Sequence, residues 1–444
     1  MLHQFNLLRV RSVAALIRWK GFPGIFQVAV LCVYVALAVL GWGGYTPEGV
    51  NAKLYAKTNL VNLVIWGLWW PTIVLVTFLL GRAWCMVCPL ELLSSQASKL
   101  ATKLRLAQRP LGGWLARGSL VILFFALLQM LVPGIQIHRV PHYTSLFLIV
   151  SLTLAFAVGL IFKDRAFCRG FCPIALLLSA YGRGGILAVR PAASGCGVNA
   201  RACPSMLNPS RLNTSKDCLV CGDCIKAGAA GEMELVVRPL YSKADAREAL
   251  PSWPLTMFVV IVSGFVTYEL TGVWKAAGSL FLWAPAQVSA SGWVQGAWTI
   301  LVWPVLLWLL LGGVTVLTSG ANNLGEAWRR LALPAAVVVA TGHIAKGLEK
   351  FTSWIGFLPH AWGEPTGTQT AIKMNAKLMP QPAAWLTPAA LSVCSMLLVA
   401  FGIWLALREA HLADPDNGRR RYASILLLGG FFFLLVLGWS GWIK

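Results

Sequence analysis

"RAWCMVCPLELLS" runs from Arg82 to Ser94, and "RAFCRGFCPIALLLS" runs from Arg165 to Ser179. Both open on Arg-Ala-aromatic-Cys, reach a Cys-Pro after a short spacer, and follow a long apolar run. The first pair is C-x2-C-P at Cys85 and Cys88, and the second is C-x3-C-P at Cys168 and Cys172. The repetition reads as a duplicated membrane hairpin that delivers paired thiols to the same side of a bilayer twice.

Composition agrees with that frame. Of the 444 residues 57% are hydrophobic and 12% charged, and 21 are tryptophan, a profile of a multispanning membrane protein. A bilayer core of ~30 Å needs about 20 apolar residues per helix. Nine runs qualify: 24–44, 60–81, 118–136, 144–162, 255–272, 294–317, 331–349, 385–407 and 422–441. The expected fold is an all-α polytopic protein of nine transmembrane helices with a cytoplasmic N-terminus. Its expected parts are a four-helix repeat over 1–183, a small polar α+β domain over 184–253 between helices 4 and 5, and a five-helix domain over 254–444.

The formal charge of +21 is explained by topology. With the N-terminus inside, segments 1–23, 82–117, 163–254, 318–330 and 408–421 hold 28 of the 37 Lys and Arg residues, as the positive-inside rule requires. The charge therefore gives no reason to propose a nucleic-acid partner. The apolar run after Arg9, Arg11, Arg18 and Lys20 is too long for a signal-peptide core, so span 1 reads as an uncleaved anchor.

Nine of the eleven cysteines fall on the side assigned to the cytoplasm, where thiols stay reduced and clustering points to metal or redox chemistry. Cys218, Cys221 and Cys224 form a C-x2-C-x2-C run, and Cys203 precedes Pro204. Bacterial ferredoxins bind a [4Fe–4S] cluster with three thiolates from such a run and a fourth from a distant Cys-Pro. The same four residues would also satisfy zinc. The ligands of a second ferredoxin site would fall at Ala193, Cys196, Asn199 and Gly228, of which one is a thiol, so the segment reads as a two-cluster ferredoxin fold holding one cluster. Cys85, Cys88, Cys168 and Cys172 leave three readings open: a second [4Fe–4S] cluster, a dithiol relay, or reduced packing cysteines. The prolines fix the backbone and suit the first position of the next helix. Cys32 and Cys394 read as small core hydrophobes inside spans 1 and 8.

With these motifs in view, residues 24–250 resemble the membrane-bound polyferredoxins related to the NapH quinol dehydrogenase subunit, the NosR regulator of nitrous oxide respiration and the CcoG oxidase-assembly protein. The resemblance implies a respiratory subunit of a bacterial-type inner membrane. Such a subunit passes electrons between the quinone pool or a cytoplasmic donor and a periplasmic redox protein, within a complex of other subunits. Cys85, Cys88, Cys168 and Cys172 match the family's membrane motifs. The alternative it allows is a maturation factor that delivers electrons to a periplasmic metal site. No terminal-substrate site is read, so enzymatic activity of the chain on its own is left open. Spans 5–9 are not expected from the resemblance.

His138, His142, His343 and His360 map to the outer end in this topology. Ionisable groups near membrane depth are functional candidates, and His138, Arg139, His142, His343 and Lys346, with Glu349 and Glu364 nearby, are nominated for a quinol head group and its protons. Interfacial loop residues are the plainer reading. A bis-histidine haem is disfavoured, because no two histidines sit mid-span with paired spacing.

Overall fold

The computed structural model describes residues 5–192, 196–199, 202–214, 216–246, 250–319, 321–415 and 418–442. It is 71% helical. Among the described residues, seven helices are long and apolar enough to cross a membrane: Leu60–Leu80, Pro141–Ile161, Trp253–Thr271, Gly292–Thr318, Leu324–Gly363, Pro388–Ala413 and Gly418–Ser440. The chain is a multi-pass membrane protein.

The two remaining expected spans are shorter helices, Gly24–Leu40 and Ser119–Gly134. Their 17 and 16 residues give lengths of roughly 25 Å, under a full hydrocarbon core. Local chemistry sets both limits. Pro23 precedes the first helix and Gly41, Gly43 and Gly44 follow it, while Pro133 and Gly134 close the other. A further helix, Lys275–Val288, was not read from sequence, and it leaves Leu280, Trp283 and Val288 exposed.

Contacts divide the chain into two compact units. Unit 1 holds 1–34, 75–124 and 150–249, and unit 2 holds 35–74, 125–149 and 250–444. They do not coincide with the segments 1–183, 184–253 and 254–444, because the helices that begin the chain each contribute residues to both units.

Unit 1 contains an antiparallel sheet in the order β1, β3, β2, formed by Phe5–Asn6 (β1), Leu187–Pro191 (β2) and Met233–Val237 (β3). Leu187 pairs with Val237 and Pro191 with Met233, and Phe5 meets Val237 from the other side. The core beneath joins Val189, Met233 and Leu235 to Cys218, Cys224 and Ile225, and Ile17 closes it from the amphipathic helix Arg11–Arg18. Residues 5–18 thus complete the polar domain of 184–253, which the sequence treats as a separate insertion. A two-residue strand is too short to show the alternation that reveals strands.

Unit 2 is built around Leu324–Trp354, which packs against Trp253–Thr271, Trp303–Ser319, Pro388–Ala413 and Tyr422–Leu437. Without water, membrane helices are held by close packing and interhelical hydrogen bonds. Trp308 Nε1 donates to Ser263 Oγ at 3.0 Å, Thr315 and Ser424 share a 2.7 Å hydroxyl contact, and a side chain at Gly402 would collide with Thr341 Oγ1.

Cys32 and Cys394 depart from expectation. Both are exposed on their helices rather than packed in a core. A thiol is apolar enough to face lipid, so burial in the bundle is not required of it.

Candidate iron–sulfur sites

The spacing difference between the two repeats is absorbed by helical winding. Cys85 lies in a 3-10 turn, Arg82–Met86, where residues three apart share a side. Cys168 lies in a π turn, Phe167–Phe171, closed by Cys172 N donating to Phe167 O at 2.8 Å. The wider winding accommodates the extra residue of the second spacer.

Each Cys-Pro then sets up a helix N-terminus. Pro89 is the first residue of helix Pro89–Lys103 and Cys88 is its N-cap. The backbone N–H groups of Glu91 and Leu90 point at the Cys88 sulfur, and those of Ile174 and Ala175 at Cys172. A helix N-terminus is a natural anion site, and here the anion it favours is a thiolate. The second proline differs from expectation: Pro173 stands outside helix Ala175–Gly182, and Ile174 is the cap.

The four thiols lie near enough to influence one another's charge. Burial pushes the Cys88 thiol up, and repulsion from Cys85 and Cys172 adds to it. Burial likewise holds Cys168 well above its usual range, with Cys172, Cys88 and Cys85 contributing, and Cys172 is pushed up to about 11. The second set behaves the same way. Cys218 is raised by burial and by Cys203, while Cys224 reaches about 12 through burial, Cys218 and Cys203. Cys221 is raised by burial and Asp223, and it too feels Cys218. Val220 and Val189 direct N–H groups at Cys218, and Asp223 directs one at Cys221. The tight wrap between Cys221 and Cys224 needs Gly222, whose φ is +79° and whose missing side chain leaves room for Ile17.

The donor sets fit iron–sulfur clusters. Each offers four thiols, of which Cys88, Cys168 and Cys172 in one and Cys218, Cys221 and Cys224 in the other are costly to ionise alone, and backbone N–H groups are aimed at sulfur, the arrangement by which proteins hold and tune such clusters. Among the described residues no three His, Cys, Asp or Glu side chains close on one point as a single ion requires. Cys196, the remnant of the other ferredoxin site, lies 3.2 Å from the Met233 sulfur, and Asn199 is exposed. Ala193 lies outside the described residues.

Two arginines tie the cysteine motifs together, Arg82 reaching the loop of the second set and Arg165 joining the two repeats, and the sequence reading missed them. Arg82 Nη1 bonds Asp217 Oδ1 at 2.9 Å and Ser179 Oγ at 3.2 Å. Arg165 bonds Glu91 through Nε at 2.8 Å and also through Nη2, and Gln27 Nε2 donates to the other Glu91 oxygen at 2.6 Å. Their shared position, three residues before the first cysteine of each repeat, was the available signal.

In unit 2, His138, His343 and Lys346 line one cavity of about 40 Å³ with Gln129, Glu269 and Lys350, beneath Trp66, Trp70 and Phe265. His142 and Arg139 do not line it. His142 accepts from Gly43 N at 3.1 Å and packs on Trp42 and Tyr45. Glu364 caps the helix Thr368–Asn375, accepting from the N–H groups of Gln369 and Thr370 at 2.7 Å. The five residues nominated for a quinol are therefore only partly brought together. A water needs ~10–15 Å³ and a benzene-binding cavity measures about 150 Å³, so this space suits water rather than an aromatic ring.

Comparison with known proteins bears on unit 1. Residues 62–107 and 144–189 each match the family described as a 4Fe-4S binding domain. One match contains Cys85 and Cys88, the other Cys168 and Cys172. The duplicated hairpins are thus similar to one another and to an iron–sulfur family, and neither match reaches Cys203. The two matches support an iron–sulfur protein of ferredoxin type with 4Fe–4S clusters, and so suggest an electron-transfer role. An uncharacterized protein of Methanocaldococcus jannaschii is 25% identical over 166 residues, which are 36% of this chain and 66% of that relative. The chain thus spans just under two thirds of it. No solved structure matches the chain.

Proposed function

We propose that this chain is a membrane electron-transfer subunit with two 4Fe–4S sites, one on Cys85, Cys88, Cys168 and Cys172 and one on Cys203, Cys218, Cys221 and Cys224. The observation that carries the reading is the duplication of the Cys-Pro repeat, each copy matching a 4Fe-4S binding domain and each with backbone N–H groups aimed at its second cysteine. When bound, such clusters exchange single electrons. The chain's own part is to hold the thiolates, exclude water from Cys218 and Cys224, and balance charge with Arg82 and Arg165. Electrons pass between the quinone pool and a partner redox protein, which we place in the periplasm, inside a larger complex of a bacterial-type inner membrane. The distribution of Lys and Arg supports a cytoplasmic location for both cysteine sets.

Iron and acid-labile sulfide per chain, measured on anaerobically purified protein, test this reading. About eight irons are expected, falling to about four in a Cys85→Ser, Cys168→Ser variant. About four irons in both proteins would remove the repeats from the cluster set and leave them to thiol chemistry.

A further inference from the structure

Arg82 and Arg165 occupy equivalent places in the two repeats, and each meets both cysteine sets. Arg82 and Arg165 line one space together with Cys168 of the first set and with Pro204 and Asp217, the neighbours of Cys203 and Cys218 in the second. Arg165 also lines a space with Cys203 and Cys221 of the second set and Glu91 of the first repeat. Both side chains are largely buried, at 10% and 14% exposure. Each guanidinium has one carboxylate partner, yet Arg82 Nε and Arg165 Nη1 are buried with no acceptor in the protein. A buried charged donor left unpaired is costly, so an acceptor beside it is expected.

The carboxylates are placed as links. Asp217 directly precedes Cys218, so the Arg82 pair ties the first repeat to the loop of the other set. Glu91 follows Cys88 in the first helix turn, so the Arg165 pair ties the second repeat to the first. Ser179 Oγ donates to Asp217 Oδ1 at 2.8 Å and fixes that carboxylate.

We propose that Arg82 and Arg165 form a positive bridge between the two cysteine sets, raising the reduction potentials of the 4Fe–4S groups held on either side and letting both carry an electron together. The inference rests on the function proposed above. Each one-electron reduction adds one negative charge and no atoms, so two reduced neighbours repel. A fixed cation facing both offsets that repulsion and favours the reduced form of each. Net charge and hydrogen bonds to sulfur are the known determinants of cluster potential, and the arginines supply both, whereas their carboxylates limit how far the potential rises.

The test is a dithionite titration of the detergent-solubilised full chain, followed by electron paramagnetic resonance, with iron and sulfide counted in every sample. Arg82→Gln and Arg165→Gln should shift the midpoint potentials of both groups to more negative values at unchanged iron content. Arg82→Lys should stay close to the parent. Asp217→Asn and Glu91→Gln keep the cations and remove their counter-charges, so they should shift potentials the opposite way. They also serve if an arginine variant fails to fold. Fully loaded glutamine variants with unmoved potentials would overturn the bridge, as would a negative shift in both carboxylate variants. A parent protein without iron would sink the underlying reading instead.

Discussion

The cysteine sets of unit 1 and the cavity of unit 2 are both polar sites in an apolar chain, and they are built in opposite ways. Around the cysteines, local backbone supplies the partners: a Cys-Pro places helix N–H groups on sulfur, and a glycine turn wraps Cys221 to Cys224. Around the cavity, side chains arrive from four separate stretches, at 66–71, 128–138, 265–269 and 343–350. There Gln129 Oε1 and His138 Nδ1 are left without protein partners, and Lys346 is held by Glu349 at 2.7 Å. Each Cys-Pro motif carries backbone N–H partners for its own sulfur, although each four-cysteine set draws its thiols from two segments. Chemistry assembled across helices depends on bundle packing and on water.

If that contrast is right, breaking a local turn should cost a cysteine set outright. Gly222→Val puts a β-branched side chain at φ +79° and into Ile17. Strain of this kind costs of order 1–3 kcal/mol before the clash is counted. We expect loss of about four irons per chain with the repeats still loaded. Retention of full iron and sulfide would show that the wrap does not depend on this glycine.

The cavity should respond through stability rather than cofactor content. Glu349→Gln leaves the Lys346 ammonium without its partner within helix Leu324–Trp354. Both side chains are partly open, at 17% and 22% exposure, so a loss of about 1–3 kcal/mol is expected rather than the larger cost of a fully buried pair. Thermal unfolding in detergent should show it with iron unchanged. A fall in iron would mean that the two regions are not separable.

The same contrast explains what could be read from the sequence. Cysteine spacing is set by covalent neighbours, so the two Cys-Pro pairs and the hairpin repeat were legible, and each hairpin matches a 4Fe-4S binding domain. Seven of nine expected spans are present at full length because composition alone decides them. Three things were not legible. Phe5–Asn6 joins the sheet through pairing with a strand more than 200 residues away. Gln129 and Glu269 have no motif, and only packing brings them to His138 and His343. The pairing of Arg82 with Asp217 and of Arg165 with Glu91 is tertiary, although the repeated Arg-Ala-x-Cys marked both arginines for inspection.

His138 offers the smallest and most specific test of the cavity. It lies between the helices Ser119–Gly134 and Pro141–Ile161, and burial holds its imidazole well below the usual range, with Lys350, Arg139, Lys346 and Lys53 opposing a further positive charge. The unfolded chain takes up this proton below about pH 6.5, and the folded chain does not. Stability must therefore fall as pH drops through that value, by at most ~1.4 kcal/mol at pH 5.5 for one such group. His138→Gln removes the group that gains a proton on unfolding, so its melting temperature should fall less between pH 7.5 and 5.5 than the parent's. Parallel pH profiles for the two proteins would mean that His138 titrates normally when folded, with water reaching its unpartnered Nδ1 freely.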